Sequence, residues 1–421
     1  MDIEALIRDP ALLEPLQLLR SKRFSDLVDQ EGHQYVDLVM EGGGMLGIAL
    51  VGYSWALEQA GLRFLGLGGA SAGSINALLL AALGPPAQAK GDRLLQELAS
   101  LDFRHFVDGD DDSRALIDAA LEADPGLWRL GWRGWQVFDT LKSRLGLNPG
   151  AVFHDWIRSV LAREGLTTLA ALQARLAEPP PGLWNRRQNR LLEPQEACGR
   201  LAIVAADVAS ESKVVFPDHA PLYFSDPMQA DPSLFVRASM SIPFFFEPLR
   251  LAVPQEADAA ARWLEWVGYD AEQEGGLPAH GLFVDGGVVS NFPINLFHNY
   301  SRIPSRPTFG VKLQNDERRR RIDGPLGLLG AVFDSARHGL DYDFLSNNHD
   351  YRRLVQYIPC RGVNWLDFGM DEATRAGLFR EGARKAIEFL DGFDWEAYRE
   401  MRSHLIFPTA SASTTGQMRI G

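Results

Sequence analysis

A serine flanked by small residues is the first candidate for chemistry in this chain. Residues Gly69–Gly73 have the pattern G-x-S-x-G, with Ser71 at the centre between Gly69 and Gly73. The pattern alone is common in glycine-rich chains, but here it joins a short apolar strand, Phe64–Leu67, to a run typical of a helix. A serine on such a sharp turn projects its hydroxyl from the apex, as a nucleophile elbow requires. The N-terminus of the following helix favours an oxyanion at the same point, so Ser71 is predicted to be a nucleophile.

A glycine-rich run follows the first predicted strand. Residues 41–47 read EGGGMLG and contain G-x-G-x-x-G at Gly42, Gly44 and Gly47, which is also the pattern of dinucleotide-binding folds. That function needs an acidic residue at the end of the next strand, whereas Arg63–Leu67 contains none and runs into the serine turn. We therefore favour a loop whose amides approach a substrate carbonyl and stabilise its oxyanion, with a plain tight turn as the alternative.

An aspartate stands at the end of a later apolar segment. Asp285 directly follows Leu282–Val284 and precedes Gly286 and Gly287. The carboxyl end of a buried strand is where α/β enzymes place their sites, although Asp-Gly-Gly is also an ordinary turn sequence. Beside an elbow serine, a carboxylate shielded from water can accept the serine proton during attack. Asp285 is therefore the predicted base.

In this order, the three motifs resemble the patatin-like phospholipase family, over a region from about Tyr35 to Asn295. The resemblance implies a lipid acyl hydrolase that uses a dyad of Ser71 and Asp285 without a histidine. It also implies an oxyanion hole formed by the glycine loop and the elbow, whose residues here are Gly42, Gly43, Gly44, Gly47 and Ala72.

Two further features bear on the resemblance. Val236–Pro243 is similar to a block that begins a helix beside the site in this family. Leu46 stands where family members often carry Arg or Lys. The loss of that cation argues against an anionic phospholipid as the preferred substrate and leaves the reaction class unchanged.

A catalytic triad would need a histidine after the acid. The four candidates are His298, His338, His349 and His404. None lies in a glycine-marked loop after a clear strand, so we expect all four at surface or helix positions.

One aromatic run and one basic run are further candidates for contact with lipid. Trp128, Trp132 and Trp135 fall at helical spacing, with Arg129 and Arg133 between them. A lipid interface is one interpretation, but we favour a helix face that packs on the core or lines an acyl pocket. The basic run Arg318–Arg321 is predicted to be a solvated loop rather than a headgroup site.

The elements that must position the motifs alternate along the chain. A strand at Tyr35–Met40 precedes a helix at Gly47–Ala60, and a second strand and helix surround Ser71. Further strands are predicted at Leu201–Ala206 and Thr308–Leu313, and helices at residues 325–345 and 372–391. This alternation predicts a three-layer α/β/α fold, with a mostly parallel central sheet and helices on both faces.

The predicted domain organisation has one main unit. Residues 1–31 are expected to form an N-terminal helical extension, and residues 32–400 the hydrolase domain, with a helical insertion at about 87–196. Residues 401–421 are expected to be a disordered tail, because the run from Thr409 is small and polar.

Composition limits the class of protein. The chain has 421 residues, 46% of them hydrophobic, and a net charge of −13, which argues against a nucleic-acid partner. No apolar run is long enough to cross a bilayer, and residues 1–20 do not resemble a signal peptide. With two widely separated cysteines, the chain suits a reducing compartment. We expect a cytoplasmic protein that contacts membranes only peripherally.

The resemblance to this family implies cleavage of fatty acyl esters, as in a phospholipase A or lysophospholipase. The expected partners are a lipid or other acyl ester and, transiently, a membrane or micelle surface, with a protein activator left open. The predicted route needs neither a metal nor an organic cofactor. The alternatives are a lipid-binding protein that lacks activity or needs an activator, and an NAD-dependent enzyme that uses the first glycine loop.

Overall fold

The computed structural model describes residues 2–110, 142–298, 301–314, 348 and 350–407. Within these residues, the strands in chain order are β1 (Leu27–Val28), β2 (Gln34–Met40), β3 (Leu62–Ala70), β4 (Gly146–Asn148), β5 (Trp184–Asn185), β6 (Arg190–Leu191), β7 (Arg200–Asp207), β8 (Ser212–Phe216), β9 (Phe244–Phe246), β10 (Leu249–Ala252), β11 (His280–Asp285), β12 (Thr308–Gln314) and β13 (Val355–Pro359). The α-helices are α1 (Ile3–Ile7), α2 (Pro10–Leu19), α3 (Gly47–Gln59), α4 (Ala72–Ala82), α5 (Gly91–Ala99), α6 (Ala151–Arg163), α7 (Leu169–Leu176), α8 (Ser233–Ser239), α9 (Ala259–Val267), α10 (Gly287–Ser290), α11 (Glu372–Gly392) and α12 (Trp395–Ile406).

A large mixed sheet forms the centre of the molecule. Five parallel strands lie in the order β13, β12, β2, β3 and β7. Strands β2 and β3 are buried along their whole length, which explains why both segments are rich in apolar residues and glycine. Short connections such as the one from β7 to β8 allow antiparallel pairing outside this centre, where β8 and β11 pair with β7, and β1 pairs with β2.

The predicted three-layer α/β/α fold is confirmed. Helix α4 packs on β3 and β7, and α3 packs on α11. The α3–α11 crossing is close because both helices present glycine, and a Cβ at Gly382 would lie 1.9 Å from the Ala49 carbonyl oxygen. The strands at the centre of the sheet are parallel, as predicted, and so is the edge strand β13, whereas β1, β8, β10 and β11 pair antiparallel with their neighbours.

Most predicted elements that carry motifs are present with longer bounds. The predicted strands around residues 35, 64, 201, 282 and 308 correspond to β2, β3, β7, β11 and β12, and the predicted helix 372–391 corresponds to α11. Strands β8, β10 and β13 and helix α9 were not predicted. The helix predicted at 325–345 lies outside the described residues.

Two predicted regions differ in detail. The region expected to be a helical insertion contains helices α5, α6 and α7, but also the short strands β4, β5 and β6. The boundary predicted at residue 400 falls inside α12, where the Arg402 side chain is buried beside Asp350, so order continues beyond it. Among the described residues, no helix is long and apolar enough to span a membrane.

Candidate active site

Ser71 occupies the turn between β3 and α4. Its backbone has φ 50° and ψ −123°, a left-handed conformation that is rare for a residue with a side chain and costs about 1–3 kcal/mol. The turn is tight, since a Cβ at Gly73 would lie 2.2 Å from the Met40 carbonyl oxygen. A Cβ at Gly69 would similarly lie 2.5 Å from the Gly73 carbonyl carbon. The G-x-S-x-G sequence thus folds as a strained elbow at the carboxyl end of β3.

Ser239 holds the elbow in place. The Ser71 N–H donates to Ser239 Oγ at 2.9 Å, and this hydroxyl donates to the Val204 carbonyl at 2.6 Å. Ser239 is the last residue of α8, so the block Val236–Pro243 ends a helix beside the site and does not begin one. Its serines were not predicted to have a role, because the elbow contact joins residues 168 positions apart in the sequence.

Asp285 lies at the same end of the sheet as Ser71, although its strand runs in the opposite direction. Strand β11 runs antiparallel to β7, so the rule for parallel strands does not place it. Instead, β8 covers one side of β7 while β3 and β11 lie end to end along the other. Ala70 pairs with Val204, and Asp285 pairs with the next residue, Ala205. The ends of β3 and β11 therefore meet.

The Asp285 turn is buried and anchored to the segment that also holds the elbow. Asp285 is 2% exposed, and its N–H donates to the Ser241 carbonyl at 2.8 Å. The Gly286 N–H donates to the Ser239 carbonyl at 3.0 Å, and the Gly287 N–H donates to Asp285 Oδ1 at 2.7 Å. Gly286 is required here, because a Cβ would lie 2.0 Å from the Val204 carbonyl oxygen.

The glycine loop after β2 lies against the elbow. A Cβ at Gly42 would lie 2.9 Å from the Ser71 Cβ, and one at Gly47 would lie 2.8 Å from the Ala72 Cβ. Gly44 has φ 54° and packs against the Trp365 carbonyl. Because these residues have no side chains, the loop can approach Ser71 and Ala72 closely.

The backbone N–H groups of the glycine loop and the elbow differ in whether they have an acceptor within the protein. The Gly42 N–H donates to the Asn291 carbonyl at 3.1 Å, and the Met45 N–H donates to the Trp365 carbonyl at 2.9 Å. Within the part of the chain that the structure describes, the N–H groups of Gly43, Gly44 and Ala72 have no acceptor. Such groups at the N-terminus of α4 and in a glycine loop can stabilise an oxyanion.

A cavity opens at the elbow. Ser71, Ala72, Gly44 and Gly47 line it, whereas Gly43 and Asp285 are not part of its wall. The rest of the wall is predominantly apolar and includes Ile75, Phe103, Phe106, Phe153, Phe246 and Phe368. A serine hydroxyl and two residues with unpaired amides, Gly44 and Ala72, therefore line a predominantly apolar cavity, as is common for small-molecule sites.

The other candidates occupy different surroundings. His298 is buried and pairs with Asp350 at 3.1 Å, whereas His404 is exposed beside Glu400. His338, His349, the tryptophan run at 128–135 and the basic run Arg318–Arg321 lie outside the described residues. Leu46, at the position where a cation was expected, is 3% exposed and packs in the core.

The chain is similar to several known proteins. The chain is 29% identical to the uncharacterized protein YqhO of Bacillus subtilis (strain 168) over 359 residues. This alignment covers 85% of this chain and 98% of YqhO. Among solved structures, VipD from Legionella pneumophila aligns with a TM-score of 0.41 at 15% identity, over 88% of this chain and 70% of that one. The ExoU–SpcU complex of Pseudomonas aeruginosa gives a TM-score of 0.33 at 15% identity, over 85% of this chain and 51% of that one.

A family model described as patatin-like phospholipase matches residues 38–298. The matched region begins in β2 and continues beyond α10, so it contains the glycine loop, the elbow and the Asp285 turn. The chain belongs to the patatin-like phospholipase family.

Proposed function

We propose that this protein hydrolyses fatty acyl esters of lipids, with Ser71 as nucleophile and Asp285 as its base. The observation that carries the proposal is the strained Ser71 elbow at an apolar cavity, beside the unpaired N–H groups of Gly44 and Ala72. Strain of this kind persists where the surroundings enforce it, and it clusters at functional sites. A tight turn with a purely structural role would not need a serine that faces a cavity.

In acylation, Asp285 takes the proton from Ser71 Oγ as that oxygen attacks the ester carbonyl. The tetrahedral oxyanion accepts hydrogen bonds from the N–H groups around Gly43, Gly44 and Ala72. The ester C–O bond then breaks, and Asp285 gives its proton to the leaving alcohol. The acyl group remains on Ser71.

In deacylation, Asp285 takes a proton from water, and the hydroxide equivalent attacks the acyl-enzyme carbonyl. The same amides stabilise the second oxyanion. Its collapse releases the fatty acid and returns the proton to Ser71 Oγ. The two half-reactions need no group beyond this chain and water.

The apolar wall of the cavity supports an acyl chain as the group that enters it. Burial of each methylene contributes about 0.8 kcal/mol, so a wall of aromatic and aliphatic side chains favours a fatty acyl group over a charged headgroup. Leu46 supplies no cation at its own position in the glycine loop, which supports a neutral ester rather than an anionic phospholipid.

The test compares wild type with Ser71→Ala and Asp285→Asn on p-nitrophenyl butyrate, on mixed phospholipid micelles and with a fluorophosphonate probe. We expect Ser71→Ala to lose probe labelling and on the order of 10⁴-fold in rate. Asp285→Asn should lose about 10²- to 10⁴-fold. Ser159→Ala and Asp258→Asn, both at exposed positions, serve as controls and should keep full activity.

A non-catalytic lipid-binding protein is the second candidate. It would leave the wild type inert and unlabelled, with lipid binding unchanged in Ser71→Ala. Activity that survives Asp285→Asn would contradict the dyad while leaving the serine in place.

A further inference from the structure

Three polar side chains lie buried directly behind the glycine loop. Glu41 precedes Gly42, and one of its carboxylate oxygens, Oε1, lies 2.8 Å from Lys312 Nζ and accepts from Asn291 Nδ2 at 3.0 Å. The other oxygen accepts from the Leu313 N–H at 2.6 Å. All three side chains are nearly inaccessible to solvent, with residue exposures of 3% for Glu41, 3% for Asn291 and 8% for Lys312. We refer to Glu41, Asn291 and Lys312 as the Glu41 cluster.

Asn291 joins two parts of the proposed active site. Its carbonyl accepts from the Gly42 N–H at 3.1 Å, and its side-chain Nδ2 donates to the Gly42 carbonyl at 3.3 Å. It also directly follows α10, the short helix that begins two residues after Asp285. Asn291 thus binds the glycine loop and also lies directly after the short helix that follows Asp285.

Lys312 and Leu313 fix the loop from the neighbouring strand. Both residues are on β12, which pairs with β2. Lys312 neutralises the carboxylate of Glu41 and lies 4.6 Å from the centre of the Phe292 ring. The Leu313 Cδ1 atom would lie 2.5 Å from a Cβ at Gly43, so this side chain limits where Gly43 can go.

Such a buried ion pair is not explained by stability alone. Desolvation of the two charges offsets much of their attraction, and apolar residues of similar volume often stabilise a fold equally well. A carboxylate that also accepts from a backbone N–H and from a loop-binding amide does something that apolar packing cannot do. The Glu41 carboxylate fixes the direction of the Leu313 N–H and of the Asn291 side-chain amide.

We propose that the Glu41 cluster is a positioning device for the reaction, which fixes the glycine loop relative to the Asp285 turn. This inference rests on the proposed function. Glu41 and its partners touch no substrate. Their role is to keep the Gly43 and Gly44 amides directed at the point where the oxyanion forms. Since those bonds strengthen only in the transition state, the cluster should affect kcat and leave KM nearly unchanged.

The experiment measures kcat and KM for p-nitrophenyl butyrate in Glu41→Gln and in a matched control, Asp37→Asn. Asp37 is another buried carboxylate and is paired with Arg306 at 2.7 Å. It lies within β2, four residues before Glu41, which directly follows that strand. That separation is about 13 Å along a strand. Both variants remove the charge of a buried carboxylate that is paired with a cation, and both should lower the midpoint of urea unfolding.

We expect Glu41→Gln to lower kcat roughly 100-fold with KM within about twofold, as a small misplacement of catalytic groups does. Asp37→Asn should keep kcat within about twofold. If Glu41→Gln does not fold, the double variant Glu41→Gln/Lys312→Met removes the unpaired cation as well and is measured in its place, with the same expected loss of kcat.

Equal kcat values in Glu41→Gln and Asp37→Asn would overturn the proposal, and so would a rise in KM at unchanged kcat. Failure of the proposed function is distinguishable, because the wild type itself would then be inert and Ser71 would not react with a fluorophosphonate. Normal wild-type turnover with an unaffected Glu41→Gln contradicts the positioning role alone.

Discussion

At the scale of single residues, Ser239 connects the Ser71 elbow to the Asp285 turn. Its hydroxyl accepts from the Ser71 N–H and its carbonyl accepts from the Gly286 N–H. The elbow conformation of Ser71 is unfavourable in isolation, so it must be held by neighbours. Ser239 is the neighbour that binds the strained peptide directly, and it is completely buried.

We expect Ser239→Ala to lower both stability and activity. The change leaves the Ser71 N–H and the Val204 carbonyl without their buried partner, which costs about 1–3 kcal/mol. Ester turnover should fall at least tenfold, since a shift of the elbow moves the nucleophile. The measurements are urea unfolding and the rate with p-nitrophenyl butyrate.

Ser74→Ala is the matched control for this change. The Ser74 hydroxyl is also fully buried and donates to the Ser71 carbonyl at 2.6 Å. That carbonyl keeps two N–H donors from the first turn of α4 when the hydroxyl is lost. Ser74→Ala should therefore retain most of its activity, and equal losses in the two variants would contradict a special role for Ser239.

At the scale of elements, α4 contributes to both the elbow and the cavity wall. Ala72 is its first residue, and Ile75, one turn later, faces the cavity. A larger side chain at Ile75 narrows the chamber at a position that is only partly buried, so the core need not be repacked. The helix thus offers a way to test which part of the substrate enters.

Ile75→Phe should shorten the preferred acyl chain. Each methylene that can no longer be buried costs about 0.8 kcal/mol, or about fourfold in kcat/KM. We expect the rate on p-nitrophenyl acetate to stay close to wild type while the rate on a long-chain ester falls steeply. A uniform loss over all chain lengths would mean that the acyl group does not occupy this cavity.

The sequence predicted the elements that carry the motifs better than it predicted how they meet. Local signals suffice for β2, β3 and the Ser71 elbow, because apolar runs and glycines lie within a few residues of each other. The position of Asp285 depends on the register of β11 on β7, and that of Asn291 on contacts with a loop 249 residues away. Register and long-range hydrogen bonds leave no periodic pattern in one sequence.

The buried charges show the same limit. In the sequence, Glu41 is simply the residue before three glycines, and Lys312 lies within the predicted strand Thr308–Leu313 without any signal of its own. A charged residue in a strand is normally expected at the surface. Its burial here depends on a partner from another strand, which the sequence alone does not identify.

At the scale of the whole molecule, a buried cluster joins helix α12 to the region matched by the family model. Asp350 pairs with His298, at the end of that region, and with Arg402 of α12. Burial raises the pKa of the Asp350 carboxyl, but the hydrogen bonds from His298 and Arg402 outweigh it, and the pKa lies below its usual value of 3.8. The carboxylate form is therefore the one that stabilises the fold.

We expect Asp350→Asn to destabilise the protein by about 3 kcal/mol near neutral pH, because it leaves Arg402 buried without its counter-charge. A depressed folded pKa means that the contribution of the carboxylate is fully present above pH 3.8 and is lost as the pH falls through the folded value. The gap between wild type and variant in urea unfolding should therefore close below pH 3.8. A gap that is constant with pH would contradict this account.

The end-to-end arrangement of β3 and β11 along β7 has a consequence for biosynthesis. A chain translated from its N-terminus presents the serine elbow more than two hundred residues before Asp285 emerges. Until β11 pairs with β7, the nucleophile has no proton acceptor from this strand. The proposed dyad is therefore complete only after β11 has paired with β7, late in the folding of the chain.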